Sequence, residues 1–186
     1  MTSNPDFNAA KEFLELLDPT TKDFCFRTFD DRGRDIPNIV GKFNDTFRSV
    51  FPTLTAKSML GAGVFVVVNE GGQTAASITR IRHVFVDTDG APLAPIVSAL
   101  PPHMIVETSP GRYHVYWRVT GVAVSDFATI QKAAIAKFGT DPVVHDLPRV
   151  MRLPGFDHQK GTPFRTRLID SAPDLGAYTL SQLQTA

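Results

Sequence analysis

The chain has 186 residues, enough for one ordinary domain or two very small ones. Hydrophobic residues make up 42% and charged ones 20%, which excludes a disordered polymer and allows a sizeable core without staples. Lys+Arg and Asp+Glu number 19 each, and this zero balance argues against a strongly basic nucleic-acid coat but permits a local basic cleft.

Phe7, Ala10, Phe13, Leu14 and Leu17 recur at helical spacing, with Asn8 or Asp6 as cap and Asp18-Pro19 as the stop. Phe24 to Phe29 alternates as a strand, and Asp30 to Arg34 is a polar turn. A helix is expected around Asn38–Phe47, with Pro52 closing the segment. Val64 to Val68, bounded by glycines, reads as a buried strand, and His83 to Val86 as a second one that ends in Asp87-Thr88-Asp89-Gly90. Residues 91–100 suggest a short helix. Met104 to Glu107 and Tyr113 to Val119 form a hairpin through Ser109-Pro110-Gly111-Arg112, where Pro and Gly suit a type II turn. Ser125 is placed to cap a helix from Asp126 to Phe138, with Phe127, Ile130, Ala134 and Ile135 on one face and Gly139 as its stop. A basic, turn-rich segment follows from Asp141 to Lys160, then a strand at Thr166–Ile169 and a helix at Leu180–Leu183. Interleaved strands and helices with an antiparallel pair indicate an α+β fold. Cys25 is the only cysteine, which rules out an internal disulfide and a cysteine-based zinc site. The longest apolar run, Val64 to Val68, is far too short to span a membrane, and residues 1–20 show no secretory pattern. A soluble, cytoplasmic chain with no membrane partner is expected.

Three groups of residues carry chemistry. Asp87 and Asp89 lie two apart at a strand end, so their carboxylates should project together. That suits a divalent cation, or else a plain Asp-rich turn. His114 shares a strand face with Tyr116 and Arg118; it is either a core histidine or a phosphate contact beside the Ser109, Gly111 and Arg112 turn. The segment from Asp141 to Lys160 is either a solvated loop or a packed one. In the packed case Val150, Met151, Leu153 and Phe156 hold its charges in place, its third carboxylate completes a two-metal site, and its bases neutralise a triphosphate.

These stretches carry a resemblance. Phe65-Val66-Val67-Val68-Asn69-Glu70-Gly71-Gly72, Phe85-Val86-Asp87-Thr88-Asp89, Glu107-Thr108-Ser109-Pro110-Gly111-Arg112-Tyr113-His114, Asp141-Pro142 and Arg149-Val150-Met151-Arg152-Leu153-Pro154-Gly155 resemble the archaeo-eukaryotic primase superfamily, in particular its plasmid and phage branch of RepB-type primases and primase-polymerases. The likeness covers roughly residues 24–170, and its strength lies in the ordered set. It implies an RRM-like antiparallel sheet joined to an N-terminal α/β unit around a catalytic cleft. Residues 1–186 would be one catalytic domain, the possible first module of a larger primase-helicase. It implies DNA primase and DNA polymerase chemistry on a single-stranded DNA template with ribo- or deoxynucleoside triphosphates, and a helicase partner. Asp87, Asp89 and Asp141 would bind two divalent cations, Mg²⁺ or Mn²⁺, with Asp146 as the alternative to Asp141. His114 would contact the phosphates, and Arg152 would grip one through two parallel bonds. Ser109, Arg112, Arg149, His158 and Lys160 would surround the triphosphate. Arg80 and Arg82 would lie on the template rim.

Two other classes compete. The first is a metal-dependent nuclease or rolling-circle initiator; such an initiator needs a His-x-His pair and a helical tyrosine, and neither is present around His114 or on helix 126–138. A non-catalytic single-strand binder would stack bases on exposed aromatics, for which Tyr116 and Trp117 are the candidates.

Overall fold

The computed structural model describes residues 4–185. Helix α1 (Phe7–Leu17) is capped by Asp6, whose carboxylate accepts from the Asn8 and Ala9 amides at 2.9 and 3.1 Å. Its apolar stripe of Ala10, Phe13, Leu14 and Leu17 is buried. Strand β1 (Asp23–Asp30) follows, then β2 (Gly41–Thr46) and helix α2 (Phe47–Met59). The expected helix at Asn38–Phe47 is therefore a strand, with Phe43 directly opposite Phe26. The helix starts where Thr46 Oγ1 accepts from the Ser49 amide. Pro52 does not close it: it sits inside α2, where the missing N–H removes one helical bond without ending the coil.

Next come β3 (Ala62–Val67), β4 (Glu70–Gly71), β5 (Ile78–Arg80), β6 (His83–Asp87), helix α3 (Leu93–Ala99), β7 (Met104–Ser109) and β8 (Arg112–Arg118). Gly111 takes φ +73° at the β7–β8 turn, as the hairpin requires. Helix α4 (Phe127–Phe138) ends at left-handed Gly139. Ser125 does not cap it, because a 3₁₀ turn at Val124–Asp126 runs straight into the helix and the Ser125 hydroxyl bonds Asp126 instead. The core-facing residues of α4 are Phe127 and Gln131, with Ile130 and Ala134 only half-buried. The chain closes with β9 (Val150–Arg152), β10 (Asp157–His158), β11 (Phe164–Arg165), β12 (Arg167–Ser171) and helix α5 (Leu180–Thr185).

The fold is α+β. One four-stranded sheet runs β2-β1-β3-β9 and the other β12-β7-β8-β6, with antiparallel neighbours throughout. The first belongs with α1 and α2 to the N-terminal unit; the second is the expected antiparallel sheet. One apolar core joins them, with Phe13 of α1 edge-on to Tyr116 of β8 at 5.6 Å. The basic segment crosses between the sheets. It leaves the end of β6, where the Asp141 amide donates to the Asp87 carbonyl, and it enters the first sheet as β9 beside β3. Among the described residues no helix is long and apolar enough to cross a membrane.

Candidate active site

Strand β6 lies at the edge of its sheet, so one side of its backbone lacks a strand partner. Gln131 of α4 supplies the missing bonds. Its Oε1 accepts from the Phe85 amide at 3.1 Å, and its Nε2 donates to the carbonyls of Phe85 and Val144 at 2.8 and 2.9 Å. One buried side chain thus fixes both β6 and the loop after Asp141. Thr88 fastens the end of β6 to β8: its amide donates to the Tyr113 carbonyl, and its hydroxyl accepts from the Tyr113 amide at 2.9 Å.

Between the two sheets lies a cavity of about 690 Å³, within the range of roughly 300–1,000 Å³ usual for small-molecule sites. Its lining includes Asp87, Asp89, Asp141, Ser109, Arg112, His114, Arg149, Arg152, His158 and Lys160. Every residue that the sequence assigns to metal or nucleotide is gathered there. Asp146 is not among the lining residues; it pairs with Arg149.

The two acids of the Asp-x-Asp pair differ in their setting. Asp87 ends β6 and faces His114 across the ladder, with Oδ2 3.4 Å from His114 Nε2. Burial pushes the Asp87 carboxyl up, but the His114 hydrogen bond and the charges of Arg112 and Arg152 outweigh it and hold the pKa below the ordinary carboxylate value. Asp89 lies beyond the strand in the left-handed region at φ +40°, with its amide bonded to Asp87 Oδ1. The carboxylates therefore do not project in parallel from one strand, because the chain turns at Asp89-Gly90. Asp89 pairs with Arg112 instead. Among the described residues no three acidic, histidine or cysteine side chains are gathered at ligand distance. The donor chemistry of Asp87, Asp89 and Asp141 nonetheless fits a hard divalent cation, since all three offer carboxylate oxygens to one cavity.

His114 is buried, and its Nδ1 lies 3.4 Å from the Tyr116 hydroxyl. Burial, and then the charge of Asp87, raise the Tyr116 phenol well above its ordinary pKa, so it stays a neutral donor. His114 thus bridges the two, with Nδ1 toward the Tyr116 hydroxyl and Nε2 toward Asp87. His114 is at once a bonded core histidine and a wall of the cavity.

The RepB DNA-primase N-terminal domain family matches residues 48–180. The chain belongs to that family. No curated protein sequence matches it. The AEP domain of the cyanophage S-2L primase-polymerase superposes with a TM-score of 0.80 at 23% identity, covering 98% of both chains. The catalytic domain of primase RepB′, solved in complex with initiator DNA, superposes at 0.73 and 19% identity over 95% of this chain and 90% of its own. A longer RepB′ structure gives the same score and identity over 60% of its length. At these identities the likeness is one of fold.

Several details of this RepB-type domain correct the sequence reading. Arg82 is buried and its Nε bonds Asp18 at 2.7 Å; Arg80 bonds both Asp18 and Glu70 at 2.5 Å. Neither lines the cavity, and Arg82 is withdrawn from the template rim because its charge is consumed inside the fold. Tyr116 and Trp117 are also buried, so neither offers a face for stacked bases. His158 Nδ1 donates to the Thr108 carbonyl at 3.0 Å, while burial and then the charge of Arg152 push its pKa down. Burial thus disfavours the charged form of the ring at this wall of the cavity. Asp31 holds the Nη1–Nη2 edge of Arg152 with bonds of 2.8 and 3.0 Å, so a phosphate would meet its remaining N–H groups. Asp31 and Gln131 escaped the sequence reading. Asp31 sits in a polar turn that reads as surface, and nothing local marks a lone helical glutamine as a clamp.

Proposed function

We propose that this domain catalyses template-directed nucleotidyl transfer on single-stranded DNA, making primers and extending them. The observation that carries the reading is the convergence of Asp87, Asp89, Asp141, His114 and Arg152 on one cavity from chain positions far apart. In this reading residues 1–186 act as one catalytic module, supported by a single apolar core that joins both sheets. The DNA held by the RepB′ catalytic domain supports a DNA partner here.

Asp87, Asp89 and Asp141 would hold two divalent cations, Mg²⁺ or Mn²⁺. When bound, these lower the pKa of the attacking 3′-hydroxyl and neutralise the departing pyrophosphate. Asp87 is ready for this role, since its surroundings keep it ionised. His114 holds the Asp87 carboxylate in one orientation and borders the phosphates. Arg112, exchanging Asp89 for the triphosphate, joins Arg149, Arg152 and Lys160 in neutralising it. Ser109 offers a hydroxyl from the same turn. The new bond forms between the 3′-oxygen and the α-phosphorus, and the bond to pyrophosphate breaks.

The test is incubation of purified protein with circular single-stranded DNA, labelled ribo- and deoxynucleotides, and Mg²⁺ or Mn²⁺ in separate reactions. New labelled strands are expected, and omission of the cation should abolish them. Absence of product from every combination, with the protein folded, would overturn the reading.

A further inference from the structure

Asp31 and Arg152 meet over the face of β3 that borders the cavity, and both line it. The sheet order β2-β1-β3-β9 puts β1 and β9 on either side of that strand. Asp31 follows the end of β1, and Arg152 ends β9. Their bridge passes over Gly63, where a β-carbon would lie 2.7 Å from Arg152 Nη1 and 2.7 Å from each Asp31 carboxylate oxygen. Only glycine leaves room for the pair. Two residues on, the Phe65 ring lies under the guanidinium, 4.6 Å from its carbon. Asp31 Oδ2 also accepts from the Gln159 amide at 2.9 Å, which fixes the carboxylate in turn. The Asp31 side chain is 3% exposed and that of Arg152 9%.

We infer that Asp31 is a positioning residue: it holds the Arg152 guanidinium in one plane, so that the N–H groups it leaves unused meet the triphosphate. This rests on the primase reading above. Two donors of the fork go to Asp31, and the other three of a guanidinium's five N–H groups are left for a ligand in the cavity that Arg152 lines. An arginine held by a carboxylate on one edge and a ring on one face cannot swing with the ligand. Its bonds to phosphate then cost little ordering on binding.

The experiment measures the Kd of a labelled nucleoside triphosphate with Mn²⁺, and the KM and kcat of primer extension. The proteins are the wild-type chain, Asp31→Asn, Arg152→Lys, Arg152→Ala and the Asp31→Asn/Arg152→Ala pair. Asp31→Asn should raise Kd and KM about tenfold, the effect of one charge-assisted bond, with kcat at saturation and single-stranded DNA affinity held. Arg152→Lys, which keeps the charge but loses the fork, should raise Kd and KM at least as much. Adding Asp31→Asn to Arg152→Ala should change Kd no further, because both act through one guanidinium. Unchanged Kd in Asp31→Asn or Arg152→Lys would overturn the inference, as would effects that multiply in the pair. A wild-type chain that binds no triphosphate would overturn the primase reading and this inference together, so the two failures are distinguishable.

Discussion

The Asp141 backbone amide donates to the carbonyl of Asp87 at 3.0 Å, so the loop carrying the third acid is tied to the strand end carrying the first. The same loop is held two residues later by the Val143 amide, which donates to Asp141 Oδ1 at 2.9 Å. Asp146 pairs with Arg149 and does not line the cavity. Two acids five positions apart thus have different standing, and a substitution at each separates them. Asp141→Asn should lower primer extension by at least about a hundredfold, above what outer-shell changes at metal sites cost. Asp146→Asn should stay within a few-fold of wild type. Equal losses would remove Asp141 from the cation site.

Asp18 carries the second electrostatic prediction. Burial pushes its carboxyl up, but bonds from Thr20 and Arg82 hold it at about 2. A depressed folded-state pKa stabilises the fold above the ordinary carboxylate value and is lost as pH falls through about 2. Asp18→Asn would leave the Arg82 guanidinium buried without its counter-charge, and a cost of about 3–5 kcal/mol is expected. Arg82→Ala should likewise lower Tm while leaving single-stranded DNA affinity unchanged. A loss of DNA binding with unchanged Tm would restore Arg82 to the template surface.

Histidines set the expected pH response of stability. His83 is buried with both ring nitrogens unpartnered among the described residues, and burial drives its pKa well below the ordinary value. Burial also lowers His103 and His158. Each stays neutral in the fold and takes up a proton on unfolding, so stability is full above the unfolded histidine pKa of about 6.5 and falls as the solution is acidified below it. Urea unfolding at pH 7.5 and 5.5 should show the lower midpoint at pH 5.5. His83→Phe should narrow that gap and add about 1 kcal/mol, since it removes an unsatisfied buried group of similar shape. An unchanged gap would show that His83 does not titrate on unfolding.

Gln131 has a clear cost attached. Gln131→Leu keeps the volume but strands the amide and carbonyl of Phe85 and the carbonyl of Val144. Each unpaired buried group costs about 1–3 kcal/mol. A loss of at least about 2 kcal/mol is expected, with activity falling too because both Asp87 and Asp141 sit on the elements it ties. Thermal unfolding and primer extension on the same preparation check this. Wild-type stability would mean that water replaces the glutamine.

The residues that line the cavity are legible where their signal is local. Asp87 and Asp89 announce themselves after an apolar strand, His114 follows a turn whose Pro110 and Gly111 fix its geometry, and Gly139 marks the end of α4. What failed depends on distant partners. Strand β2 is a strand because Phe43 meets Phe26, and Pro52 is tolerated because the helix around it is held by packing. Asp31 looks like one more acid in a polar turn until β9 brings Arg152 to it. The Asp-x-Asp spacing is plain in the sequence, but the strand ladder runs on through Thr88 and the chain turns at Asp89-Gly90, where both residues take positive φ.

The crossing of the basic segment has a consequence for synthesis. A chain emerging from the ribosome as far as Phe138 already contains β6 and β8, and with them the pairing of Asp87 with His114. It has no β9. Until Val150 to Arg152 are made, the outer edge of β3 has no neighbour, and Asp31 has no counter-ion. An open edge rich in valine is a template for another copy's strand. Aggregation during expression should therefore concentrate in that interval, and chains cut short before Val150 should be the least soluble.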